Sequence, residues 1–204
     1  MVRARSPFSG IRRAVVKAVH VARNGAIDVR YGRPLASRRN SDYRALDRIF
    51  GDQLTEADVL VDIGSGNGRV INWWLHRDQP GAFVALEADP ELARRTARRH
   101  RRRQEVLVLE GDATSTLPAD ATVAYLFNPG GPDLIEAIEQ GLRKLPNLRL
   151  VLYYNPKHVA TFVEDEAWCV RVADLDAPPD APVSPLATIT PRASDRSRWI
   201  PPDG

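Results

Sequence analysis

The residues best suited to chemistry lie in one short stretch, Val59–Val70, where an apolar run contains an acid and ends in alternating glycines. The apolar run is typical of a buried parallel strand, and the residues from Arg69 onward predict the first turns of a helix. Between them the glycines turn the chain sharply and leave backbone N–H groups open to a nucleotide-like ligand. We call Gly64–Gly68 the glycine loop. The acid and the loop comprise Asp62, Gly64, Ser65, Gly66, Asn67 and Gly68.

The glycine spacing separates two kinds of ligand. A dinucleotide-binding fingerprint is G-x-G-x-x-G, whereas this chain has G-x-G-x-G and places Arg69 at the third dinucleotide position. With Asp62 two places before Gly64, the stretch resembles motif I, (D/E)-x-G-x-G-x-G, of the class I S-adenosylmethionine-dependent methyltransferases. The resemblance implies S-adenosyl-L-methionine as cofactor, bound by Asp62 and the glycine loop. A structural glycine turn in another α/β domain is the alternative.

Two further acids follow predicted strands. Glu87 ends the strand Ala82–Glu87, nineteen residues beyond Gly68, where this type of fold places a carboxylate that accepts both ribose hydroxyls. Asp112 follows the predicted strand Val106–Leu109. The resemblance assigns Asp112 to the adenine amino group and includes Ala113 in the site. An ordinary turn residue is the other interpretation of Asp112.

An Asn-Pro turn follows the fourth predicted strand, Thr122–Phe127. Asn128-Pro129 resembles the start of motif IV, (D/N/S)-P-P-(Y/F/W), of methyltransferases that act on amino groups. The resemblance implies that Asn128 and Pro129 are the catalytic pair, with the asparagine oxygen accepting a hydrogen bond from the target nitrogen. The match is partial, because Gly130 and Gly131 replace the second proline and the aromatic residue.

The chain repeats this dipeptide at Asn155-Pro156, after the fifth predicted strand, Leu148–Tyr154. Here an asparagine N-cap with proline at the first helical position, opening a helix over Lys157–Asp165, accounts for the pattern. The same capping role is therefore open for Asn128.

Alternating strands and helices predict an α/β fold with a doubly wound, Rossmann-like sheet. The resemblance implies seven strands in the order 3-2-1-4-5-7-6 with an antiparallel last strand. The final strands are predicted at Trp168–Ala173 and Leu186–Thr190. We place the methyltransferase domain at residues 42–191, between a basic extension (1–41) and a tail (192–204).

A helix ahead of the glycine loop is expected to be capped by Ser41 or Asp42 and to end at Gly51. The resemblance implies that it covers the cofactor pocket, so Tyr43 either approaches the ligand or packs in the core. Residues 24–41 are rich in turn formers.

Composition limits the alternatives. The single cysteine, Cys169, excludes an internal disulfide framework and indicates a reducing compartment, so we expect a cytoplasmic protein with Cys169 in the core. The histidines are scattered, and we expect no metal site. No apolar run approaches the length of a membrane span.

Positive charge is concentrated in two places. Residues 1–50 carry twelve Lys/Arg against three Asp/Glu, a balance of +9, and the remainder is −6, which together give the +3 of the chain. Ile11–Arg23 predicts a basic amphipathic helix that packs on the domain or, less favoured, lies on an anionic membrane. A helix capped by Asp89 runs into the arginine-rich stretch Arg94–Arg103, for which a solvated face is the default and nucleic-acid binding the alternative.

The sequence therefore predicts an S-adenosylmethionine-dependent methyltransferase that acts on a nitrogen or oxygen of an unidentified acceptor. A small molecule, a glycan or a protein side chain is favoured over nucleic acid. The alternative is a catalytically inactive methyltransferase-fold protein that binds RNA through its arginine-rich surfaces. The missing third dinucleotide glycine disfavours a nicotinamide-dependent reductase. Nothing in the sequence indicates the oligomeric state.

Overall fold

The computed structural model describes residues 26, 27, 30, 41–175 and 185–192. Seven strands form one sheet in the order β3-β2-β1-β4-β5-β7-β6. They are β1 Val59–Ile63, β2 Ala82–Glu87, β3 Val106–Glu110, β4 Val123–Leu126, β5 Leu150–Tyr154, β6 Trp168–Asp174 and β7 Pro185–Pro191. The described helices are α1 Tyr43–Phe50, α2 Arg69–His76, α3 Pro90–His100, α4 Pro132–Arg143 and α5 Ala160–Glu164.

The predicted strand order is confirmed. β1 pairs in parallel with β2 and β4, while β7 runs antiparallel to both β5 and β6. The strand order reverses between β1 and β4, so their carboxyl ends flank the crevice in which open α/β sheets bind ligands. The glycine loop and the Asn-Pro turn follow these two strands.

The central strands are buried on both faces. Leu60 of β1 belongs to an apolar cluster with residues of α1 and α2, whereas its neighbour Val61 belongs to a second cluster with residues of α4 and α5. Successive strand residues point to opposite faces, so a strand covered on both sides must be apolar at almost every position. This burial holds the carboxyl ends of the strands, and therefore the loops, in fixed positions.

Helix α1 is attached to the sheet and to α2 by polar contacts. Asp42, one of the two predicted N-caps, caps it by accepting a hydrogen bond from the Arg44 N–H. The Ser41 hydroxyl lies 2.7 Å from the buried Tyr125 hydroxyl on β4. Asp47 accepts from the Trp73 indole N–H on α2 at 2.8 Å, which fixes α1 over the central strands.

An ion pair of a buried acid with a partly exposed arginine lies at the opposite ends of the strands. Asp58 is 4% exposed and accepts from the Nε and Nη2 groups of Arg149 at 2.8 and 2.6 Å. The hydroxyls of Thr55 and Thr122 also donate to Asp58, at 2.8 and 2.6 Å. The Arg149 guanidinium and these donors hold the pKa of Asp58 well below its usual range.

Several local expectations need correction. Ala26 and Ile27 are helical where the composition predicted turns, and Ile27 is buried in the core beside α1. Cys169 is exposed on β6, an edge strand with a largely exposed face, so the prediction of a core cysteine was wrong. The predicted Ile11–Arg23 helix and residues 193–204 lie outside the described residues. In the part of the chain that is described, no helix has the length and apolarity to cross a membrane.

Candidate functional site

The glycine loop turns the chain from β1 into α2 through left-handed backbone. Gly64, Gly66 and Gly68 have φ angles of +76°, +54° and +74°, values that side chains with a Cβ seldom adopt. Gly68 is the N-cap of α2. The N–H groups of Gly64 and Ser65 donate to the Leu86 carbonyl at 2.9 and 3.0 Å, which fastens the loop to β2.

The space around the loop differs from one glycine to the next. A Cβ at Gly68 would lie 3.0 Å from the Thr96 methyl and 3.2 Å from the Ile71 side chain, so glycine is needed there for packing against α3. A Cβ at Gly66 would meet only the Gly64 carbonyl oxygen, at 3.9 Å, within 4 Å. The loop is therefore packed on one side and open at Gly66, as a cradle for a ligand must be.

Glu87, at the end of β2, fixes the loop from the neighbouring strand. Its Oε2 accepts from the Gly66 N–H at 2.7 Å, and its Oε1 accepts from the Asp89 N–H at 2.8 Å. A carboxylate has about four lone-pair positions, so each oxygen retains one for a ligand donor. The two backbone bonds orient the remaining lone pairs.

Asp62, which precedes the loop, and Ser65 within it are buried polar residues with an atom that lacks a partner among the described residues. Asp62 is 3% exposed and Ser65 is 7% exposed. Within the described residues, the Asp62 Oδ2 and the Ser65 Oγ make no hydrogen bond. Such groups are costly unless a ligand or water satisfies them. Burial, with a smaller contribution from the Glu87 charge, raises the pKa of Asp62 to about 8. A cationic or hydrogen-bond-donating group bound here would relieve both defects.

Helix α3 contacts the glycine loop through side chains near the C-terminal end of the helix. The Arg99 Nη1 donates to the Asn67 carbonyl at 2.8 Å. His100 is buried near Gly68, and burial, with the charges of Arg99 and Arg103, lowers its pKa to about 4. His100 is therefore neutral at neutral pH, and its buried Nε2 makes no hydrogen bond within the described residues. In the sequence Arg99 was singled out only as part of the arginine-rich stretch, and its contact with the loop was not predicted.

The Asn-Pro turn after β4 adjoins the glycine loop. A Cβ built on Gly64 would lie 3.5 Å from the Pro129 Cβ, which is ordinary contact. Asn128 has a φ of +45°, and its Oδ1 accepts from the Tyr153 hydroxyl and from the Lys157 N–H, each at 3.3 Å. The structure thus brings Asn128 and Pro129 to the same edge of the sheet as the loop. Tyr153 was missed, because the sequence does not reveal which side chain its hydroxyl faces.

The capping interpretation of both asparagines was wrong. Gly131 is the N-cap of α4, and Val159 is the N-cap of α5. Asn155 has a φ of +49°, as Asn128 has +45°, so both asparagines have left-handed backbone where the chain leaves a strand. Asparagine adopts this conformation more readily than most residues. Proline follows each of them, and the backbone angles of a residue before proline are themselves restricted.

Asp112 is exposed in the turn that follows β3. Its Oδ1 accepts from the Thr114 N–H at 2.8 Å, and this bond lowers its pKa. Asp112 therefore makes a local turn, and Ala113 beside it is half-buried. The Gly111 N–H donates to the Glu87 carbonyl at 3.0 Å, which ties this turn to β2 and to the rest of the site.

Tyr43 packs in the core, which was one of the two roles predicted for it. Tyr43 is buried in the core, and the Arg69 guanidinium carbon lies 4.7 Å from its ring centroid. This is cation–π geometry. Arg69 is the first residue of α2, so the contact joins α1 to the end of the glycine loop. On the sheet, Phe127 and Tyr154 form an aromatic pair with centroids 5.1 Å apart next to Asn128, which the sequence did not single out.

No protein-family model and no curated protein matches the chain. Solved structures with a similar fold do match it. Among solved structures, a Streptococcus pneumoniae protein, Sp1610, described as a candidate tRNA (m1A22) methyltransferase and crystallised with S-adenosyl-L-methionine, has a TM-score of 0.58 at 15% identity. That match covers 76% of this chain and 77% of Sp1610.

Two other solved structures illustrate the range of neighbours. The 23S rRNA methyltransferase ErmE has a TM-score of 0.53 at 15% identity, covering 75% of this chain and 69% of ErmE. The mitomycin 7-O-methyltransferase MmcR has a TM-score of 0.50 at 19% identity, covering 66% of this chain and 49% of MmcR. Likeness at such identities concerns the fold. The chain has the class I methyltransferase fold, as the resemblance implied.

Proposed function

We propose that this protein is an S-adenosylmethionine-dependent methyltransferase that acts on a nitrogen or oxygen of its acceptor. The observation that carries the proposal is the arrangement at the end of β1. There the open glycine loop is bonded to Glu87, and the buried Asp62 leads into it with an Oδ2 that has no partner among the described residues. This arrangement offers acceptors for ribose hydroxyls on one side and an acid for a cationic group on the other.

The residues present fit the cofactor. The free lone pairs of Glu87 would accept the ribose hydroxyls, and Gly66 leaves room for the ligand. Asp62 and Ser65 would gain the partners they lack, while Asp112 and Ala113 would bound the adenine end. When bound, S-adenosylmethionine supplies a methyl group already activated on a sulfonium. The protein therefore mainly orients the acceptor and accepts hydrogen bonds from it, with no covalent enzyme nucleophile.

Asn128 is the residue we assign to the acceptor, with Pro129 setting the turn. The two bonds to the Asn128 Oδ1 are both 3.3 Å, beyond the usual range for such donors. An acceptor N–H can therefore replace one of them at little cost. Tyr153 and the Lys157 N–H would hold the amide in orientation until the acceptor arrives.

The acceptor class is wider than the sequence suggested. Nucleic acid was not favoured, yet ErmE is described as an rRNA methyltransferase and Sp1610 as a candidate tRNA methyltransferase. These neighbours support nucleic acid as an acceptor, while MmcR represents small-molecule O-methylation. A non-catalytic RNA-binding protein is the second candidate, supported by the exposed arginines of α3. The single cysteine supports a cytoplasmic location.

The test uses labelled S-adenosylmethionine, the purified full chain and a cell extract divided into RNA, protein and small-molecule fractions. We expect the wild type to transfer the label to one of these fractions. We expect the variants Gly66→Val and Glu87→Ala to transfer none. Gly66→Val places a branched side chain at a φ of +54° in the space assigned to the ligand. Calorimetry with the cofactor alone separates a binding defect from a missing acceptor. Absence of cofactor binding to the wild type would overturn the proposal.

A further inference from the structure

Helix α3 carries an arginine surface that the cofactor site does not use. Its buried side consists of Ala93, Thr96 and His100. With 3.6 residues per turn, the positions opposite these three face solvent together. We call the exposed residues on that side the arginine surface. They are Arg94, Arg95 and Arg98 on α3, with Arg101 and Arg102 in the turn that follows it.

Among the described residues no acid forms an ion pair with this surface, although Glu91 lies one turn before Arg94 and Arg95. By contrast, Arg103 beside them pairs with Glu105 at 3.8 Å. Arg94 and Arg98 are four residues apart, and like charges at that spacing destabilise a helix. The late arginines are favourable at the helix C-terminus, but Arg94 and Arg95 are not near that end. An unbalanced stripe of this kind is what a polyanion would complement.

The arginine surface is connected to the site. Asp89 caps α3 and donates its own N–H to Glu87, and Arg99 bonds the Asn67 carbonyl of the glycine loop. Arg94 lies about 6 Å along the helix from Pro90, at 1.5 Å per residue. A chain of phosphates lying on α3 would therefore start beside the cofactor site and lead away from it.

The chemistry of the surface distinguishes between polyanions. A membrane-binding helix interleaves apolar side chains with its basic ones. On α3 the exposed positions between the arginines hold no large apolar residue. Guanidinium groups bind phosphate oxygens in a bidentate fork, and a nucleic acid presents phosphates at regular intervals. A nucleic-acid backbone is therefore the better complement.

The form of the nucleic acid follows from the cost of bringing a base to Asn128. Residues 127–131 form the short turn that carries Asn128 between β4 and α4, and a base in a duplex must leave its stack to reach this turn. An unpaired base in an RNA loop is already unstacked and can enter the site without that cost. We propose that the arginine surface binds the backbone of a structured RNA whose unpaired base is the methyl acceptor, an inference that rests on the proposed methyltransferase function.

The test measures binding of a fluorescently labelled RNA hairpin with a mixed-sequence loop to the full chain by anisotropy, over a range of potassium chloride concentrations. The variant is Arg94→Gln/Arg98→Gln/Arg102→Gln. Its matched control removes the same charge from other elements with Arg48→Gln/Lys144→Gln/Arg171→Gln, all at exposed positions. Glutamine is a good helix former, so α3 should persist, which circular dichroism and thermal melting would check.

We expect the α3 variant to lose at least about tenfold in RNA affinity, and the slope of log affinity against log salt to fall by about 2–3, as for three lost phosphate contacts. The control should change by less than about twofold. Replacing the same three arginines by lysine should restore the salt slope but only part of the affinity, because the charge returns without the bidentate fork. Equal losses in variant and control would overturn the inference.

Further arms separate the inference from the proposed function. Cofactor affinity, measured by calorimetry, should be the same in wild type and α3 variant. The α3 variant and the control could bind RNA equally well while the protein still binds the cofactor. That result would contradict the RNA inference and would leave the proposed methyltransferase function unaffected. RNA binding without any cofactor binding would instead overturn the methyltransferase and the acceptor assignment. Equal binding and methylation of a DNA hairpin, or flotation with phosphatidylserine vesicles that the α3 variant loses, would also contradict the proposal.

Discussion

The carboxylate of Glu87 accepts a hydrogen bond of 2.7 Å from the backbone N–H of Gly66, across 21 residues of sequence. One side chain thus both shapes the glycine loop and, in our proposal, receives the ribose. Loop geometry and ligand affinity are consequently coupled through Glu87, which makes it the most informative residue to change.

Glu87→Ala should weaken S-adenosylmethionine binding by about 1.5–3 kcal/mol, the range for hydrogen bonds to a charged group, or roughly tenfold to 150-fold. Isothermal titration calorimetry measures the change. Glu91→Ala is the matched control, because Glu91 is an exposed acid in the first turn of α3 and should leave affinity unchanged. An unaltered affinity in Glu87→Ala would remove the carboxylate from the cofactor site.

The buried Asp62 gives a prediction about stability and pH. Its pKa in the folded protein is about 8 against an ordinary value of 3.8, so the folded state favours the neutral acid. The contribution of Asp62 is most favourable below about pH 4 and is lost as the pH rises through about 8. Asp62→Asn should therefore be more stable than wild type at about pH 9, by on the order of 3–6 kcal/mol. Urea unfolding across this range measures it, and parallel pH profiles would contradict it.

Cofactor binding should also be coupled to a proton at Asp62. The acid holds a proton at about pH 7, and a cationic group of the ligand beside it would favour the ionised form. Binding should then release nearly one proton, about 0.9 at full ionisation, given the pKa of about 8. Calorimetry in buffers of different ionisation enthalpy counts the proton. The Asp62→Asn variant should release none, and equal release from both proteins would place the proton elsewhere.

Asn128→Ala tests the acceptor site. Cofactor affinity should stay within about threefold, while turnover should fall by about 10²–10³, the scale for losing one positioned polar group in a transition state. The measurement is the kinetics of methyl transfer to the cell-extract fraction that takes up the label in the test proposed above.

Asn155→Ala is the internal comparison, since both asparagines have a φ between +45° and +49° before a proline. Either alanine is strained by that backbone, and both should lose about 1–2 kcal/mol of stability. Asn128→Gly separates the two effects, because glycine restores the backbone but not the amide. Full activity in Asn128→Gly would mean that Asn128 shapes the turn and does not touch the acceptor.

The ion pair at the opposite ends of the strands predicts an acid-sensitive contribution to stability. Arg149→Met leaves Asp58 without its main partner and should cost about 2–3 kcal/mol at neutral pH, discounted because the Arg149 side chain is 38% exposed. The lowered pKa of Asp58 stabilises the fold above about pH 4, and that contribution is lost as the pH falls below it. The difference between wild type and variant should therefore shrink near pH 3 in urea unfolding. Arg171→Met, exposed on β6, is the control.

The sequence by itself determined the elements and their chemistry. Runs such as Val59–Ile63, apolar apart from Asp62, indicate strands covered on both faces, and glycines at alternate positions favour a turn. The Asp89 cap with Pro90 behind it marked the start of α3, because capping depends on neighbouring backbone groups. The resemblance to the methyltransferase motifs then supplied the strand order, which is confirmed.

The tertiary structure decided how distant residues meet. Asn128 and Asn155 carry the same dipeptide, yet only the placement of β5 beside β4 gives Asn128 the Tyr153 hydroxyl. Asp62 and Asp58 are both acids on the chain around β1, but burial without a partner raises the pKa of one and Arg149 lowers that of the other. Local sequence fixes backbone preferences, whereas burial and pairing energies depend on register across the sheet, which no short stretch contains.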